Sequence, residues 1–183
     1  MITHLTSGFR ARLIISAYQH WLKKGESALD IGCGTGIVSE ALKKQFQLKI
    51  TGCDLENYLH VLLPFKKLAS DILPFKTKSY NVAMLNDVLH HMPKEKQAQL
   101  IFEAIRVSKK VLIFEFESTL IGKLADPLLN KLHYKNLDAR LSLRKIRDWE
   151  KLFYEMGLKF QTTRVKKPFW YPFSPVAFML TKN

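Results

Sequence analysis

The sequence predicts a doubly wound α/β domain, an open and mostly parallel sheet with helices on both faces. Three observations carry that prediction. Short apolar strands alternate with amphipathic helices between residues 27 and 116, the order that builds parallel βαβ units. A glycine-rich turn, Gly32-Cys33-Gly34-Thr35-Gly36, joins the first of those strands to the helix after it. Acidic or amide residues (Asp54, Asp71, Asn86 and Asp87) follow successive strands at their carboxyl ends, the edge on which open α/β sheets bind ligands.

The elements follow in order. From Leu5 to Lys24, apolar residues recur at helical spacing (Phe9, Leu13, Ile14, Ala17, Tyr18, Trp21 and Leu22), and Gly25 closes that helix. Ser27–Ile31 is a short apolar strand, Ile37–Phe46 a helix and Leu48–Cys53 a second strand. Asn57–Leu63 is expected to form a short helix ended by Pro64, and Lys67–Ser70 a short strand before Asp71. Tyr80–Leu85 reads as a buried strand, a helix runs from beyond Pro93 to Val107, and Val111–Phe116 is rich in β-branched and aromatic residues. Residues 118–141 read as a helical or irregular insert. Leu143–Met156 is an amphipathic helix stopped by Gly157, and Leu158–Val165 and Val176–Thr181 are two closing strands. The aromatic segment between them carries Pro168, Pro172 and Pro175 and must be a loop.

Length and composition set bounds. The 183 residues suffice for one domain with a substantial core. No apolar run approaches the ~18 residues of a transmembrane helix, and the first residues do not resemble a secretory signal, so a cytoplasmic protein is expected. Cys33 and Cys53 are too few for a disulfide framework or a cysteine-rich zinc site and read as reduced thiols; no metal is expected. The net charge of +13 favours nucleic acid, an anionic membrane surface or an acidic partner; the alternative is a well-solvated basic surface, because the lysines and arginines form no dense run.

The glycine loop discriminates among nucleotide sites. Glycine is required where backbone turns sharply and lies against a ligand. A dinucleotide fingerprint would need a third glycine or alanine at the position held by Ile37. No Lys-Ser/Thr pair makes the loop a phosphate-binding loop. Asp54, 18 residues after Gly36, is placed to accept both hydroxyls of a ribose. Asp71 is placed to accept from an adenine amino group, with Ile72 and Leu73 beside it to cover the ring.

D-I-G-C-G-T-G, then G-C-D-L, S-D-I-L-P-F and Y-N-V-A-M-L-N-D-V-L-H-H-M resemble the class I S-adenosylmethionine-dependent methyltransferases. The nearest branch in character is that of the ubiquinone/menaquinone-type and other small-molecule enzymes. The likeness spans Ser27 to Glu117 and is weaker at L-R-K-I-R-D-W-E-K-L-F-Y-E-M-G-L. It implies a Rossmann-like seven-stranded sheet with an antiparallel last strand. It further implies one domain over 1–183, with residues 1–26 as a helical cover. The cofactor would be S-adenosyl-L-methionine, with S-adenosyl-L-homocysteine as product. Asp30 and the backbone of Gly32, Cys33, Gly34 and Gly36 would hold the methionyl part. Asp54 would take the ribose, Leu55 would pack beside the adenine, and Asp71 with Ile72 would meet it. Asn86 would line the pocket near the sulfonium. Arg10 would pair with the cofactor carboxylate, or else be a solvated helix charge.

The reaction so implied is in-line displacement of a methyl group by an acceptor atom, with a base needed only if the acceptor must lose a proton. His90 and His91 are the candidate bases, and the sequence does not choose between them; each has the alternative of packing or capping the turn before Pro93. Asn86-Asp87-Val88-Leu89 is not the Asn/Asp-Pro-Pro-aromatic stretch that the same comparison associates with nucleic-acid amino methylation. A small, apolar, lipid- or quinone-like acceptor is therefore the first reading. The rivals are an RNA or protein methyltransferase and a cofactor-binding regulatory subunit without turnover. Oligomeric state is not legible.

Overall fold

A computed structural model describes residues 2–70, 72–117, 142–169, 171 and 173–182. Seven strands form one sheet in the order β3-β2-β1-β4-β5-β7-β6. They are β1 (Ser27–Ile31), β2 (Lys49–Asp54), β3 (Phe65–Lys67), β4 (Tyr80–Asn86), β5 (Ser108–Phe116), β6 (Leu158–Arg164) and β7 (Pro175–Lys182). The first five pair in parallel, and β7 runs antiparallel to both β5 and β6. The expected Rossmann-like, mostly parallel sheet with a reversed last strand is therefore the architecture found.

Alternation along the central strands divides the core in two. Val82 and Met84 of β4 and Leu112 and Phe114 of β5 face one layer, while Ala83, Leu85, Val111 and Ile113 face the other. Both faces are apolar because both are covered, as parallel sheets require. Helices α1 (Ile2–Tyr18) and α2 (Ile37–Phe46) cover the first face through Leu13, Ile14, Tyr18 and Leu42. Helices α3 (Lys94–Val107) and α4 (Ile146–Glu155) cover the second through Ile101, Ala104, Trp149 and Phe153.

Four expected elements or boundaries are corrected. Helix α1 ends at Tyr18, six residues before Lys24. The Tyr18 carbonyl there accepts from the Trp21 and Leu22 amides, and Lys110 Nζ bonds the Trp21 carbonyl (2.5 Å) and Glu26, pulling the chain out of the helix. Asn57–Leu63 forms no helix. Asn57 Oδ1 accepts the Leu59 amide (3.1 Å) and the His60 amide donates to the Thr35 carbonyl (2.9 Å), so side chain and neighbouring loop take the bonds a helix would need. The third strand is Phe65–Lys67 rather than Lys67–Ser70, because the Gly52 amide already meets the Pro64 carbonyl (2.8 Å) and starts the pairing earlier. Helix α4 begins at Ile146, where Asp148 accepts the Lys145 amide. The insert expected at 118–141 lies outside the described residues.

Trp149 is 1% exposed and packs on Phe153 and Phe178, with ring centroids at 5.9 and 6.4 Å. Trp149→Ala should cost about 3–5 kcal/mol, read as a lower urea midpoint. A midpoint equal to wild type would show that α4 is not part of the cooperative core.

Candidate functional site

The carboxyl ends of β1, β2 and β4 converge on the glycine loop. At its start, the Gly32 and Cys33 amides donate to the Cys53 carbonyl at 2.8 and 3.2 Å, which ties the loop to β2. Gly32 has φ +71°, and a Cβ there would stand 2.5 Å from Val88 Cγ2. Gly36 has φ +75°, and its Cβ would meet Leu59 and Val61 at 2.7 Å. Neither position admits another residue without strain. The Gly34 amide donates to Asp54 Oδ2 (2.9 Å), and Asp54 Oδ1 accepts the Leu55 amide (2.7 Å). Each oxygen of this half-buried carboxylate keeps lone pairs beyond those bonds.

Asp30 lies behind the loop. It is 2% exposed, accepts from Ser39 Oγ at the start of α2 and from Asn86 Nδ2 at the end of β4 (3.1 Å). Asn86 Oδ1 in turn accepts from the Tyr18 hydroxyl (2.8 Å). Burial pushes the Asp30 carboxyl up to about 6 against the lowering pull of those two donors, and the charges of Asp54 and Asp87 add to the rise. Asp30 thus braces the loop from within, and Asp54 is the carboxylate nearer the surface.

Arg10 of α1 lies over this rim. Its Nε is 2.8 Å from Asp87 Oδ2, and its guanidinium carbon lies 4.6 Å from the centre of the Phe116 ring. Asp87 holds a left-handed backbone, φ +58°, and its amide donates to the Phe114 carbonyl (2.9 Å). Leu55, next to Asp54, and Ile72 are 66% and 64% exposed, apolar side chains held in water. Asp71 lies outside the described residues. Cys33 and Cys53 are free and buried. Burial, with Asp30 and Asp54 nearby, pushes the Cys33 thiol up to about 12 and raises that of Cys53 as well, so both stay protonated and unreactive.

The two histidines have different surroundings. They form a single 3-10 turn, Leu89–His91, after β4. Glu115 of β5, 1% exposed, holds that turn: Oε1 accepts the Leu89 amide (2.8 Å) and Oε2 lies 2.6 Å from His90 Nδ1. Gln97 Nε2 donates to the Leu89 carbonyl (2.9 Å), and Arg144 Nε donates to Gln97 Oε1 (2.6 Å). His91 is partly exposed, with its ring 4.1 Å from that of His90. Burial, then the neighbouring His90 and Arg10, lower its pKa to about 3, so it is a neutral imidazole across the working pH range.

Sequence reasoning missed Tyr18, Ser39, Gln97 and Glu115. Glu115 carried a readable signal, a carboxylate at a position where strand alternation demands an inward side chain. Tyr18 and Ser39 carried none, since a tyrosine on an apolar helix face and a serine in a first turn are commonplace.

A reversed seventh strand beside β5, a glycine loop after β1 and a carboxylate at the end of β2 are the features of a class I methyltransferase-type fold. The sequence profile described as "Methyltransferase domain" matches residues 7–163, and the chain belongs to that family, whose cofactor is S-adenosylmethionine. Solved structures share the fold. A SAM-dependent methyltransferase from Archaeoglobus fulgidus is 14% identical with a TM-score of 0.71, covering 96% of this chain and 94% of that one. A chain from the Haloferax volcanii complex of the Trm112 methyltransferase activator with a methyltransferase is 13% identical at TM-score 0.70, covering 96% and 92%. Magnesium protoporphyrin IX methyltransferase from Synechocystis PCC 6803, solved with bound SAH, is 18% identical at 0.64, covering 99% and 84%. No curated protein matches the sequence.

The lowered His91 pKa gives a signed pH dependence. Above about 6.5 neither folded nor unfolded chain protonates this ring; between about 6.5 and about 3 only the unfolded chain does, so stability falls as pH drops through that window. Asp30, protonated more readily when folded, acts in the opposite sense between about 3.8 and about 6. His91→Gln should therefore lose less stability than wild type between pH 7.5 and pH 4.5 in urea titrations. Equal losses would show that His91 is not held neutral by the fold.

Proposed function

We propose that this chain is a working S-adenosylmethionine-dependent methyltransferase whose acceptor is a small, apolar, lipid- or quinone-like molecule. The observation that carries the cofactor half is Asp54: a carboxylate at the end of β2, oriented by the Gly34 and Leu55 amides (2.9 and 2.7 Å), with acceptor capacity left for two ribose hydroxyls. The donor set fits the group. Asp54 would take the ribose, and Leu55 and Ile72, held in water at 66% and 64% exposure, would cover the faces of the adenine. Asp71 is proposed for its amino group. The backbone of Gly32, Cys33, Gly34 and Gly36 would carry the methionyl part, with Asp30 fixing that backbone from behind through Ser39 and Asn86. When bound, the cofactor supplies a methyl group on a sulfonium, a good leaving group.

The chain's own residues supply orientation and exclusion of water. Tyr18 and Arg10 fasten α1 across the ends of β4 and β5 through Asn86 and Asp87. An aromatic series continues from there: Phe116 to Phe173 at 4.8 Å, Phe173 to Tyr171 at 5.5 Å and Tyr171 to Phe9 at 5.1 Å. These rings are the support for an apolar acceptor. Of the two histidines, His91 is assigned to the acceptor. His90 has 3% of its side chain exposed and its Nδ1 committed to Glu115, a role in holding the turn. His91, neutral and nearer the surface, can accept a hydrogen bond from an acceptor hydroxyl and so orient it towards the methyl group.

S-adenosylmethionine should raise the melting temperature of the wild-type chain, and Asp54→Ala should abolish the shift. A wild type that does not respond at millimolar cofactor overturns the reading. With labelled methyl donor and fractionated lipid extracts, His91→Ala should cut turnover about 100-fold through lost orientation of the acceptor, with the cofactor-induced shift intact. Unchanged turnover in His90→Ala, His91→Ala and the double variant would remove both from the chemistry. Cofactor binding with no transfer into any fraction would favour the regulatory-subunit reading.

A further inference from the structure

The loop between β6 and β7 carries an exposed aromatic that no part of the site uses. Phe169 is fully exposed, at 100%. It stands at a tight turn in which the Tyr171 amide donates to the Pro168 carbonyl (3.1 Å) and Lys167 Nζ donates to the Tyr171 carbonyl (2.6 Å). The same loop has an inward half. Phe173 is 4% exposed against Phe116, and Tyr171 packs between Phe173 and Phe9. Among its described residues, this short loop thus anchors itself in the protein by two rings and holds a third out in water. A phenylalanine in that position covers no other described residue, so packing among the described residues does not account for it.

The charge around the tip has one predominant sign. Lys166 and Lys167 precede it and are exposed. Arg164, at the end of β6, is exposed and shares a 3.3 Å contact with Glu117, the acidic side chain that lines the adjoining cleft with Arg164 and Lys167. The whole chain carries +13. An apolar tip flanked by lysines on a basic protein is complementary to a surface with anionic headgroups over a hydrocarbon interior: the ring enters the acyl boundary while the ammonium groups remain among the phosphates. A single-stranded nucleic acid would be matched by a groove with successive stacking rings, whereas here one described ring projects from a turn.

We propose that Phe169, Lys166 and Lys167 dock the protein on an anionic lipid bilayer, peripherally and reversibly, next to the acceptor side of the site. The acceptor side is located by the reading above; the docking itself does not depend on turnover. Docking at this point sets the inner rings of the same loop, Tyr171 and Phe173, close to the bilayer surface, so an apolar acceptor could pass from lipid to protein over a short path.

The test is co-sedimentation of the full chain with vesicles of phosphatidylglycerol and phosphatidylcholine, against vesicles of phosphatidylcholine alone. Binding should require the anionic lipid and weaken with salt. Phe169→Ala should lower the partition coefficient about tenfold, and Lys166→Gln with Lys167→Gln about 25-fold together, roughly fivefold for each charge. Phe169→Ala should keep the wild-type melting temperature, and both variants should keep the wild-type shift with S-adenosylmethionine. That second readout separates failure of docking from failure of the cofactor assignment. The proposal is overturned by any of four results: binding no better than to phosphatidylcholine alone, Phe169→Ala partitioning as wild type does, Phe169→Ala melting lower than wild type (which would mean the ring is packed in protein), or binding to a single-stranded RNA oligonucleotide that needs Phe169 when vesicle binding does not.

Discussion

A carboxylate almost sealed from water at the end of β1 organises this molecule. Removing an ionised carboxylate from solvent costs several kcal/mol unless hydrogen bonds replace the lost hydration. Asp30 is offered two such bonds, from Ser39 and Asn86, and its raised pKa shows that they do not fully offset burial. The fold tolerates that residual cost at one place, directly behind the glycine loop. Through Ser39 the carboxylate fixes the first turn of α2; through Asn86 it fixes the end of β4; through Asn86 and Tyr18 it reaches α1. Three elements distant in sequence are registered against one side chain, and the loop between β1 and α2 takes its position from them.

Glu115 repeats the device on the other face of the sheet. Strand alternation sends Asp30 toward α1 and α2 and Glu115 toward α3, so the two buried carboxylates approach the same edge from opposite layers. Glu115 spends one oxygen on the Leu89 amide and the other on His90, and Gln97 of α3 holds the Leu89 carbonyl. The turn after β4 is thereby clamped from three sides. This explains why two adjacent histidines behave differently: His90 belongs to the clamp, and His91 rides on it.

What the sequence disclosed follows from what is local. Strand–helix alternation, the glycine spacing and the acidic residue after β2 depend on short-range pattern, and the sheet, the loop and Asp54 stand where that pattern put them. The Asn57–Leu63 segment misled because its apolar spacing is helical while its bonds are taken by Asn57 and by the Thr35 carbonyl. Helix α1 was read too long because Trp21 and Leu22 are buried like helix residues, although a turn held by Lys110 from β5 puts them there. The hidden parts of the site are long-range pairs. Tyr18 and Asn86 are separated by 68 positions and Asp30 and Asn86 by 56, and no periodicity in a chain encodes which tyrosine will meet which asparagine.

The electrostatics of the rim run against those of the whole protein. The chain is strongly basic, yet Asp30, Asp54 and Asp87 lie close enough that the charges of the latter two raise the pKa of the first. Arg10 is the cation set against them, and it is drawn to Asp87 and to the face of Phe116. In a partly dehydrated edge such a cluster is felt more strongly than in water, and it favours a ligand bearing positive charge. A sulfonium and an α-ammonium carry that charge, which is the sign the site proposed above would need against the basic charge of the whole chain. The opposite sign is left to the outer surface, where the lysines beside Phe169 stand in solvent. The acidic side chains of the rim and the lysines beside Phe169 thus place opposite signs at different parts of one small domain.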